Sequence, residues 1–505
     1  MFLGKVDCHA YDAGKSGMGL LTTTTGRRMV DGTARILLAE LLFPLTALIT
    51  TGFLTRRLGP QGYGLLALAL TMIVWIESAI NSFFAKATIK FVGETSDWKP
   101  IGAKVIRLSL QAGVTAMVLV WLLAAPLSVL FNEPDLSFYL RVCAVDIPLL
   151  CVGLAYRNVL LGTGKYQAGA VTRAGRWLAR MCLVVVLVEA GLSITGALLG
   201  VIGSSGVELL ISRWYLGSGM FSKQPEVSIP IQRYGALLFV SSLCLICYNG
   251  MDLFMLKILG GTATQAGIYS AAQSLSLLPG LFSWTFSSLL LATLSRQLVD
   301  GQRDRARAIA RDAMRVTFWL VPIAAIIAGA APEIVLVVFG SAFVPAGSLL
   351  ALLIVGAVAN VMLMVSLTIM TAEGRLARTV AFTAPLVPLA LVCHLILIPR
   401  LGQQGAALVT VGVSLLGASA AIASVSALWK VRPPGWTFLR SLAVGLVVGA
   451  ASVLCPSPGL FVFAKLIVLG MISVFGYWWL GEFRQGEITV VRSYLLRKTE
   501  SVRVT

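Results

Sequence analysis

The feature that most restricts how this chain can fold is a series of fourteen apolar stretches, each about as long as a lipid bilayer is thick. A helix needs ~20 apolar residues to cross the hydrocarbon core, and lipid excludes structures that leave backbone hydrogen bonds open. Of the 505 residues, 57% are hydrophobic and 12% are charged, whereas soluble domains are about 25% charged. The pattern therefore predicts an all-α integral membrane protein. The stretches cover residues 34–54, 64–90, 105–131, 138–161, 177–194, 196–216, 235–259, 266–294, 314–339, 347–371, 380–399, 405–428, 438–454 and 460–480.

Basic residues lie mostly on one side of the predicted membrane, and this sets the orientation of the chain. With the N-terminus in the cytoplasm, 33 of the 40 Lys and Arg residues fall in cytoplasmic segments. Such an asymmetry is typical of the cytoplasmic loops of membrane proteins, and an even number of crossings places both termini in the cytoplasm. These loops, next to anionic lipid, explain the net charge of +18, so nucleic acid is not an expected partner.

The sequence contains an internal repeat with an offset of about 200–210 residues. An even number of crossings separates the copies, so both copies have the same orientation. Transporters built from parallel repeats form two lobes related by an axis along the membrane normal. We predict two six-helix lobes plus two C-terminal helices. The matching segments are "RLGPQGYGLLALA" (57–69) with "ILGGTATQAGIYSAA" (258–272), "LLGTGKY" (160–166) with "MTAEGRL" (370–376), and "SITGALL" (193–199) with "GQQGAAL" (402–408).

The predicted domain organisation follows from the crossings and the repeat. Residues before the first crossing are polar and rich in Gly and Thr, and they lack the apolar centre of a signal peptide. Met29 is an alternative start of the chain. The segments are a disordered cytoplasmic tail (1–32), an N-lobe (33–216), a cytoplasmic linker (217–234), a C-lobe (235–430), two further crossings (431–482) and a cytoplasmic tail (483–505).

Charged residues near or inside the apolar stretches are the candidate functional residues. A charge facing lipid at the bilayer centre costs at least ~2.5–3.5 kcal/mol, so such residues are expected to face the protein interior or a hydrated cavity. Arg and Lys bind phosphate through charge-assisted hydrogen bonds, so the cations are candidates for binding an anionic headgroup. The acids are candidates for ion coupling or ion pairing. The cations are Arg56, Arg57, Lys86, Arg141 and Lys257, and the acids are Glu40, Glu77, Asp146 and Asp252.

Purely structural roles remain open for several of these residues. Arg141 with Asp146, and Asp252 with Lys257, are each five residues apart on one predicted helix and are candidates for structural ion pairs. Arg56 and Arg57 lie at the outer end of the first crossing, where such side chains also extend to lipid phosphate. The basic amphipathic segment 295–315 is either an interfacial helix or a landing site for an anionic lipid carrier.

Motifs of catalysis and metal binding are missing from the sequence. We find no G-x-S-x-G, no H-E-x-x-H and no phosphate-binding Walker motif. Cys244 and Cys247 form a C-x-x-C pair within an apolar run, whereas redox and zinc sites need polar, accessible surroundings. His9 and His394 are far apart in the chain. We expect a non-enzymatic protein with no catalytic residue, no metal and no bound cofactor.

Four stretches resemble one family of transporters. Through these stretches the chain resembles the polysaccharide-transporter, or O-antigen flippase, family of the multidrug/oligosaccharidyl-lipid/polysaccharide exporter superfamily. The N-terminal extension and two extra C-terminal crossings depart from the commoner twelve crossings, although fourteen occur in the related lipid II flippases. The stretches are "RRLGPQGYGLLALAL", "YRNVLLGTGKYQAGAVTRAGRWLAR", "MDLFMLKILGGTATQAGIYSAAQSLSLLPG" and "AEGRLARTVAFTAPLVPLALVCHLILIPRLGQQGAALVT".

The resemblance implies a flippase that moves an undecaprenyl-pyrophosphate-linked oligosaccharide across the bacterial inner membrane for surface polysaccharide biosynthesis. It implies alternating access around a cationic cavity, with H+, Na+ or the membrane potential as the driving force. Anionic lipids and the polysaccharide polymerase and chain-length machinery are the implied partners. One alternative is a multidrug/cation antiporter of the same superfamily, which Glu40, Glu77 and Asp252 keep open. Another is a membrane O-antigen polymerase or ligase, which the short external connections disfavour.

Overall fold

The computed structural model describes residues 18–95, 97–217, 239, 243–244, 246–374, 376–431 and 434–482, with side chains for most of these residues from 42 onwards. Across these ranges all of the regular elements are helices, as expected for a chain that satisfies its backbone within lipid. Ten of the described helical runs are long and apolar enough to cross a membrane. The chain is therefore an all-helical membrane protein.

The helices are numbered in chain order. In the N-lobe they are α1 (Met18–Glu94), α2 (Lys99–Leu130), α3 (Leu136–Ala144), α4 (Asp146–Gly162), α5 (Tyr166–Leu187), a π-helical turn (Val188–Leu192) and α6 (Ser193–Leu216). In the C-lobe they are α7 (Met251–Ile258), α8 (Ala263–Ser276), α9 (Leu278–Val299), α10 (Arg303–Phe318), α11 (Leu320–Gly329), α12 (Ala331–Phe339), a 3₁₀ turn (Ser341–Phe343), α13 (Ala346–Ala372), α14 (Leu376–Thr383) and α15 (Leu386–Trp429). They are followed by α16 (Gly435–Leu454) and α17 (Phe461–Trp479).

Three of the ten runs are 49 to 53 residues long, about twice the length of one crossing. A glycine with positive φ interrupts each of them: Gly59 at 65°, Gly191 at 90° and Gly402 at 56°. Glycine adopts positive φ without steric cost, so each run bends there and is long enough to cross twice. The predicted crossing at 235–259 lies partly outside the described residues, so the total of fourteen crossings and the cytoplasmic position of both termini stay predictions.

The backbone follows the sequence repeat at equivalent positions. Gly164 and Gly374 both have φ of 76°. Ser193 has φ 46° and ψ −128°, and its equivalent Gly402 has φ 56° and ψ −133°. The same unusual backbone conformations at matching places in the two halves support the predicted parallel repeat.

The two lobes touch at their predicted outer ends through equivalent glycines, Gly64 of α1 and Gly267 of α8. A Cβ on Gly64 would lie 1.9 Å from the carbonyl oxygen of Ala263, and a Cβ on Gly267 would lie 1.9 Å from that of Pro60. Pro60 and Ala263 are themselves equivalent in the repeat. Backbone therefore meets backbone in a nearly symmetric contact that only glycine permits.

Two polar contacts join the lobes at the same end. The Nζ of Lys257 on α7 lies 2.7 Å from the Oε1 of Glu133, in the connection between α2 and α3. The Arg56 guanidinium donates a hydrogen bond to the carbonyl oxygen of Val337 on α12. Together with the glycine contact, they close the lobes against each other on the outer side.

Helices α16 and α17 pack against α11 and are tied to the C-lobe by ion pairs near both ends. At the end predicted to lie outside, the Nζ of Lys465 lies 2.8 Å from the Oε1 of Glu333. At the end predicted to lie in the cytoplasm, Glu482 accepts hydrogen bonds from Arg315 at 2.6 Å and from Arg440 at 2.8 Å. The last two crossings are thus fastened to the C-lobe rather than to the central interface.

Several predicted boundaries differ from the structure. Helix α1 begins at Met18, so the part of the predicted disordered tail from 18 to 32 is helical, because no proline interrupts the chain between there and the first crossing. The basic segment 295–315 lies in the end of α9 and in α10, whose alanines at 306, 310 and 313 are buried against the lobe. Residues 1–17, most of the 217–234 linker, and the 483–505 tail lie outside the described residues.

Candidate functional site

A cavity of about 290 Å³ lies between the lobes, below the glycine contact. Helices α1 and α5 form one wall and α8 forms the other. The N-lobe wall contributes hydroxyl groups from Thr46, Thr50 and Thr51. A smaller compartment of about 80 Å³ adjoins it in the C-lobe and shares Gln273 as a lining residue. The central interface therefore holds a largely apolar space into which both halves of the repeat place polar side chains.

Arg180 is the single charged side chain among the described residues that line the larger compartment. It lies on α5, fourteen residues after Tyr166, which places it ~21 Å along the helix from its first residue. Among the described residues, its guanidinium has no hydrogen-bonded partner and no carboxylate within ion-pair distance. A guanidinium, which carries five N–H donors, thus lies at the cavity without a direct partner among the described residues.

One arginine before Arg180 on the same helix is held by a buried acid. Residues 173, 176 and 180 are all arginines, and a spacing of three and four places them on one face of α5. The Nη1 of Arg176 lies 3.3 Å from Glu208, and the Nη1 of Arg157 lies 2.9 Å from the same fully buried carboxylate. A buried charge is stable only when paired, so Glu208 holds these two arginines in place.

Two further acids lie behind Arg180, inside the N-lobe. Glu77 on α1 is 5% exposed and Asp146 at the start of α4 is 3% exposed. The Oε1 of Glu77 and the Oδ1 of Asp146 accept no hydrogen bond from the described part of the chain. Both carboxyl groups interact electrostatically with Arg180, so the arginine separates a buried acidic pair from the cavity.

The C-lobe compartment is built around Asp252 of α7. Its carboxylate accepts hydrogen bonds from the Tyr269 hydroxyl at 2.6 Å, from the Gln273 amide at 3.2 Å and from the Thr410 hydroxyl at 3.3 Å. The buried side chain of His394 also interacts electrostatically with Asp252. In contrast to the acids of the N-lobe, Asp252 is saturated by donors.

The structure does not bring the five predicted cations together in the cavity. Arg56 and Arg57 are exposed at the outer end, where Arg57 forms an ion pair with Glu189. Lys86 is exposed and does not line either compartment. Lys257 is engaged in the contact with Glu133 described above.

Arg141 is exposed on α3 and lies over the Trp121 ring, 5.7 Å from its centroid. Neither proposed structural pair forms. A separation of five residues turns a helix by about 140°, so the two side chains point to different faces. Asp252 faces the C-lobe compartment while Lys257 faces Glu133. Arg141 and Asp146 belong to the separate helices α3 and α4. The side chain of Glu40 lies outside the described residues.

The residue that sequence reasoning missed is Arg180. Arg180 lies three residues inside the predicted crossing 177–194, but the charge analysis counted it among the cytoplasmic basic residues; α5 begins already at Tyr166. The spacing of residues 173, 176 and 180 was the signal that could have revealed it, because three arginines on one helical face continue into the apolar run.

Residues 29–294 match the polysaccharide biosynthesis protein family. This chain belongs to that family. The succinoglycan biosynthesis transport protein ExoT of Rhizobium meliloti (strain 1021) is 23% identical over 311 residues, which are 60% of this chain and 61% of that protein. The match thus spans less than two thirds of the relative.

Solved structures of similar fold are transporters and flippases. The lipid II flippase MurJ in an inward closed conformation has a TM-score of 0.71 at 12% identity and covers 87% of this chain and 97% of its own. An inward-facing multidrug resistance MATE family transporter of the MOP superfamily has a TM-score of 0.66 at 16% identity, over 78% of this chain and 99% of its own. At these identities the likeness establishes the fold of the superfamily. It agrees with a multi-pass protein of the bacterial inner membrane.

Proposed function

We propose that this protein is a flippase that moves a polyprenyl-pyrophosphate-linked oligosaccharide from the cytoplasmic to the periplasmic leaflet of the bacterial inner membrane by alternating access. The family, which is that of polysaccharide biosynthesis proteins, supports a glycan substrate. The named relative transports a polysaccharide product and the named structural neighbour acts on lipid II. Both names favour a lipid-linked glycan here.

The observation that carries the proposal is the unpartnered Arg180 in the cavity. A guanidinium presents a planar fork that matches two oxygens of a phosphate group, and such charge-assisted bonds are about twice as strong as neutral ones. A guanidinium that no carboxylate of the described residues binds directly favours an anionic ligand. The pyrophosphate group fits this chemistry, and the hydroxyls of Thr46, Thr50 and Thr51 supply hydrogen bonds to a sugar.

The contacts between the lobes support the alternating-access part of the proposal. The outer ends are held by the glycine contact and by the pair of Lys257 with Glu133. Release of substrate to the periplasmic leaflet requires these contacts to open. The polyprenyl chain stays in lipid at the edge of the interface, since lipid is as apolar as the chain itself.

A coupling ion, H+ or Na+, is part of the proposal. Asp252, with His394 near it, is the candidate cation site of the C-lobe. The drug/cation antiporter alternative rests on the same residue, because a buried acid in the cavity favours a cationic ligand. The saturated hydrogen bonds of Asp252 and the cation at position 180 favour an anionic substrate instead.

Complementation of a deletion strain tests the proposal. The strain is expected to accumulate lipid-linked oligosaccharide on the cytoplasmic side and to be no more sensitive to cationic drugs. Wild-type protein and Arg141→Ala, which changes an exposed arginine outside the cavity, should restore transport. Arg180→Ala and Arg180→Glu should not, at equal amounts of protein in the membrane. Full transport by Arg180→Ala would refute the proposed site.

A further inference from the structure

We infer that Glu77 and Asp146 form a proton-binding site in the N-lobe, and that this site takes up a proton when an anion binds at Arg180. The inference rests on the proposed function and deepens it by assigning a proton to the anion-loaded state. It starts from two carboxyl groups that lie inside the lobe and are separated from the cavity by one arginine.

The first step is that both buried acids have an oxygen without a hydrogen-bond donor among the described residues. Glu77 and Asp146 are 5% and 3% exposed, and one oxygen of each has no hydrogen-bond donor among the described residues. A buried carboxylate oxygen without a donor disfavours the ionised form in a medium of low polarity. Asp146 also acts electrostatically on Glu77, and neighbouring carboxylates disfavour simultaneous ionisation. One proton shared by the pair removes both penalties.

The second step is the charge balance around the pair. Glu208 is already neutralised by Arg157 and Arg176. Arg176 and Arg180 are the two cations that act on both Glu77 and Asp146, and of these Arg180 is the one that lines the cavity. The groups that interact with the pair from the packed elements are Cys143 of α3, Cys151 of α4, Arg176 and Arg180 of α5, and Ser205 and Glu208 of α6.

The third step is the effect of an anion in the cavity. A pyrophosphate that binds Arg180 uses its positive charge and adds negative charge on the cavity side. Ionisation of the acids behind Arg180 becomes less favourable, so a proton binds there. By reciprocity a proton on the acids strengthens anion binding by the same factor. Anion and proton therefore favour each other's binding in the loaded state.

The surroundings favour a proton over a metal cation. Hard cations need several oxygen ligands, and beyond the two carboxyl groups the pair has the Ser205 hydroxyl nearby as an oxygen donor. The thiols of Cys143 and Cys151 are buried against it instead. A proton needs no such coordination shell.

Calorimetric titration of the full-length protein in lipid nanodiscs with farnesyl pyrophosphate tests the inference. The titration is done in two buffers with different ionisation enthalpies, which reveals the number of protons exchanged on binding. Wild type should take up close to one proton more than Glu77→Gln/Asp146→Asn. Its affinity should rise by up to about tenfold per unit fall in pH, as expected for one linked proton. The double variant binds the same probe and so accounts for protonation of the pyrophosphate itself.

Three further measurements make each result decisive. Glu333→Gln, which changes a partly buried acid outside the cavity, should retain the wild-type proton uptake. The single variants Glu77→Gln and Asp146→Asn replace the double variant if it does not fold. Equal proton uptake by wild type and acid variants, or binding that depends on NaCl in place of KCl, overturns the proton site but leaves the flippase proposal standing. Binding unaffected by Arg180→Ala overturns the proposed function as well.

Discussion

The glycine contact between the lobes predicts a large effect for a very small substitution, Gly64→Ala. The added Cβ would lie 1.9 Å from the Ala263 carbonyl oxygen and 2.9 Å from the nitrogen of Gly267, whereas ordinary contacts begin at 3.4 Å. The helices must therefore separate by roughly 1.5 Å, because the obstacle is backbone and has no rotamer to change. Overpacking of this kind costs about 1–3 kcal/mol.

This cost falls only on the state in which the outer ends touch. A bias of that size shifts the balance between closed and open outer ends by about 5- to 150-fold. Gly267→Ala should act in the same direction. The double variant should add little, since one methyl group already parts the helices and sites in contact are not additive.

Electron-paramagnetic distance measurements between spin labels at Gln61 and Thr264 would detect the shift. Both positions are exposed and equivalent in the repeat. Gly64→Ala should move the distance distribution to larger values, in a background without native cysteines. Gly412→Ala is the matched control, because a Cβ there meets nothing within 4 Å. An unchanged distribution for Gly64→Ala would show that the contact does not hold the outer ends together.

Three further predictions follow from contacts elsewhere in the fold. Lys257→Glu leaves Glu133 facing a like charge and should abolish transport, because removal of one partner from a buried pair costs about 3–5 kcal/mol. The exchange Lys257→Glu/Glu133→Lys should restore transport. Failure of this exchange at normal expression would assign Lys257 to substrate binding instead. Ser193→Gly should raise thermal stability by about 1 kcal/mol, because Ser193 has a positive φ that its repeat equivalent meets with glycine; no gain in a thermal-shift assay contradicts this account. Burial raises the pKa of Glu482, but hydrogen bonds from a threonine and two arginines outweigh it and leave the pKa below its ordinary value. The stabilisation from Glu482 is therefore present above its pKa in the unfolded chain and is lost as pH falls through the lower pKa in the folded protein. The stability of wild type, measured by tryptophan fluorescence, should therefore fall towards that of Glu482→Gln as the pH is lowered. Parallel pH profiles of the two proteins would contradict the assignment.

The sequence was sufficient for the elements of the fold that depend on local pattern. Apolar length predicts the crossings, and the short repeats mark the places where the backbone takes positive φ, as at Gly164 and Gly374. The ends of the helices were harder to predict, because an arginine just inside an apolar run is equally compatible with a helix and with a loop. That ambiguity concealed Arg180.

The sequence did not predict the partners of the intramembrane charges either. Lys257 is separated by more than a hundred residues from Glu133, in a connection between helices of the other lobe. The charge on Lys257 identifies it as an unusual residue, but a single sequence does not show which distant side chain neutralises it. The prediction of a cationic cavity named five cations, none of which lines the two compartments between the lobes.

The near-symmetric meeting of Gly64 and Gly267 also limits how the two halves of the chain change over evolutionary time. Each glycine occupies space next to the backbone of the other half, so neither position accepts a larger residue unless the facing half withdraws. If the halves arose by duplication, the ancestral subunit would have placed this glycine against its own copy across a twofold axis, as in a symmetric dimer. One residue then served both sides of the interface. In the fused chain two codons encode this contact, and a substitution at either glycine changes the packing of both lobes.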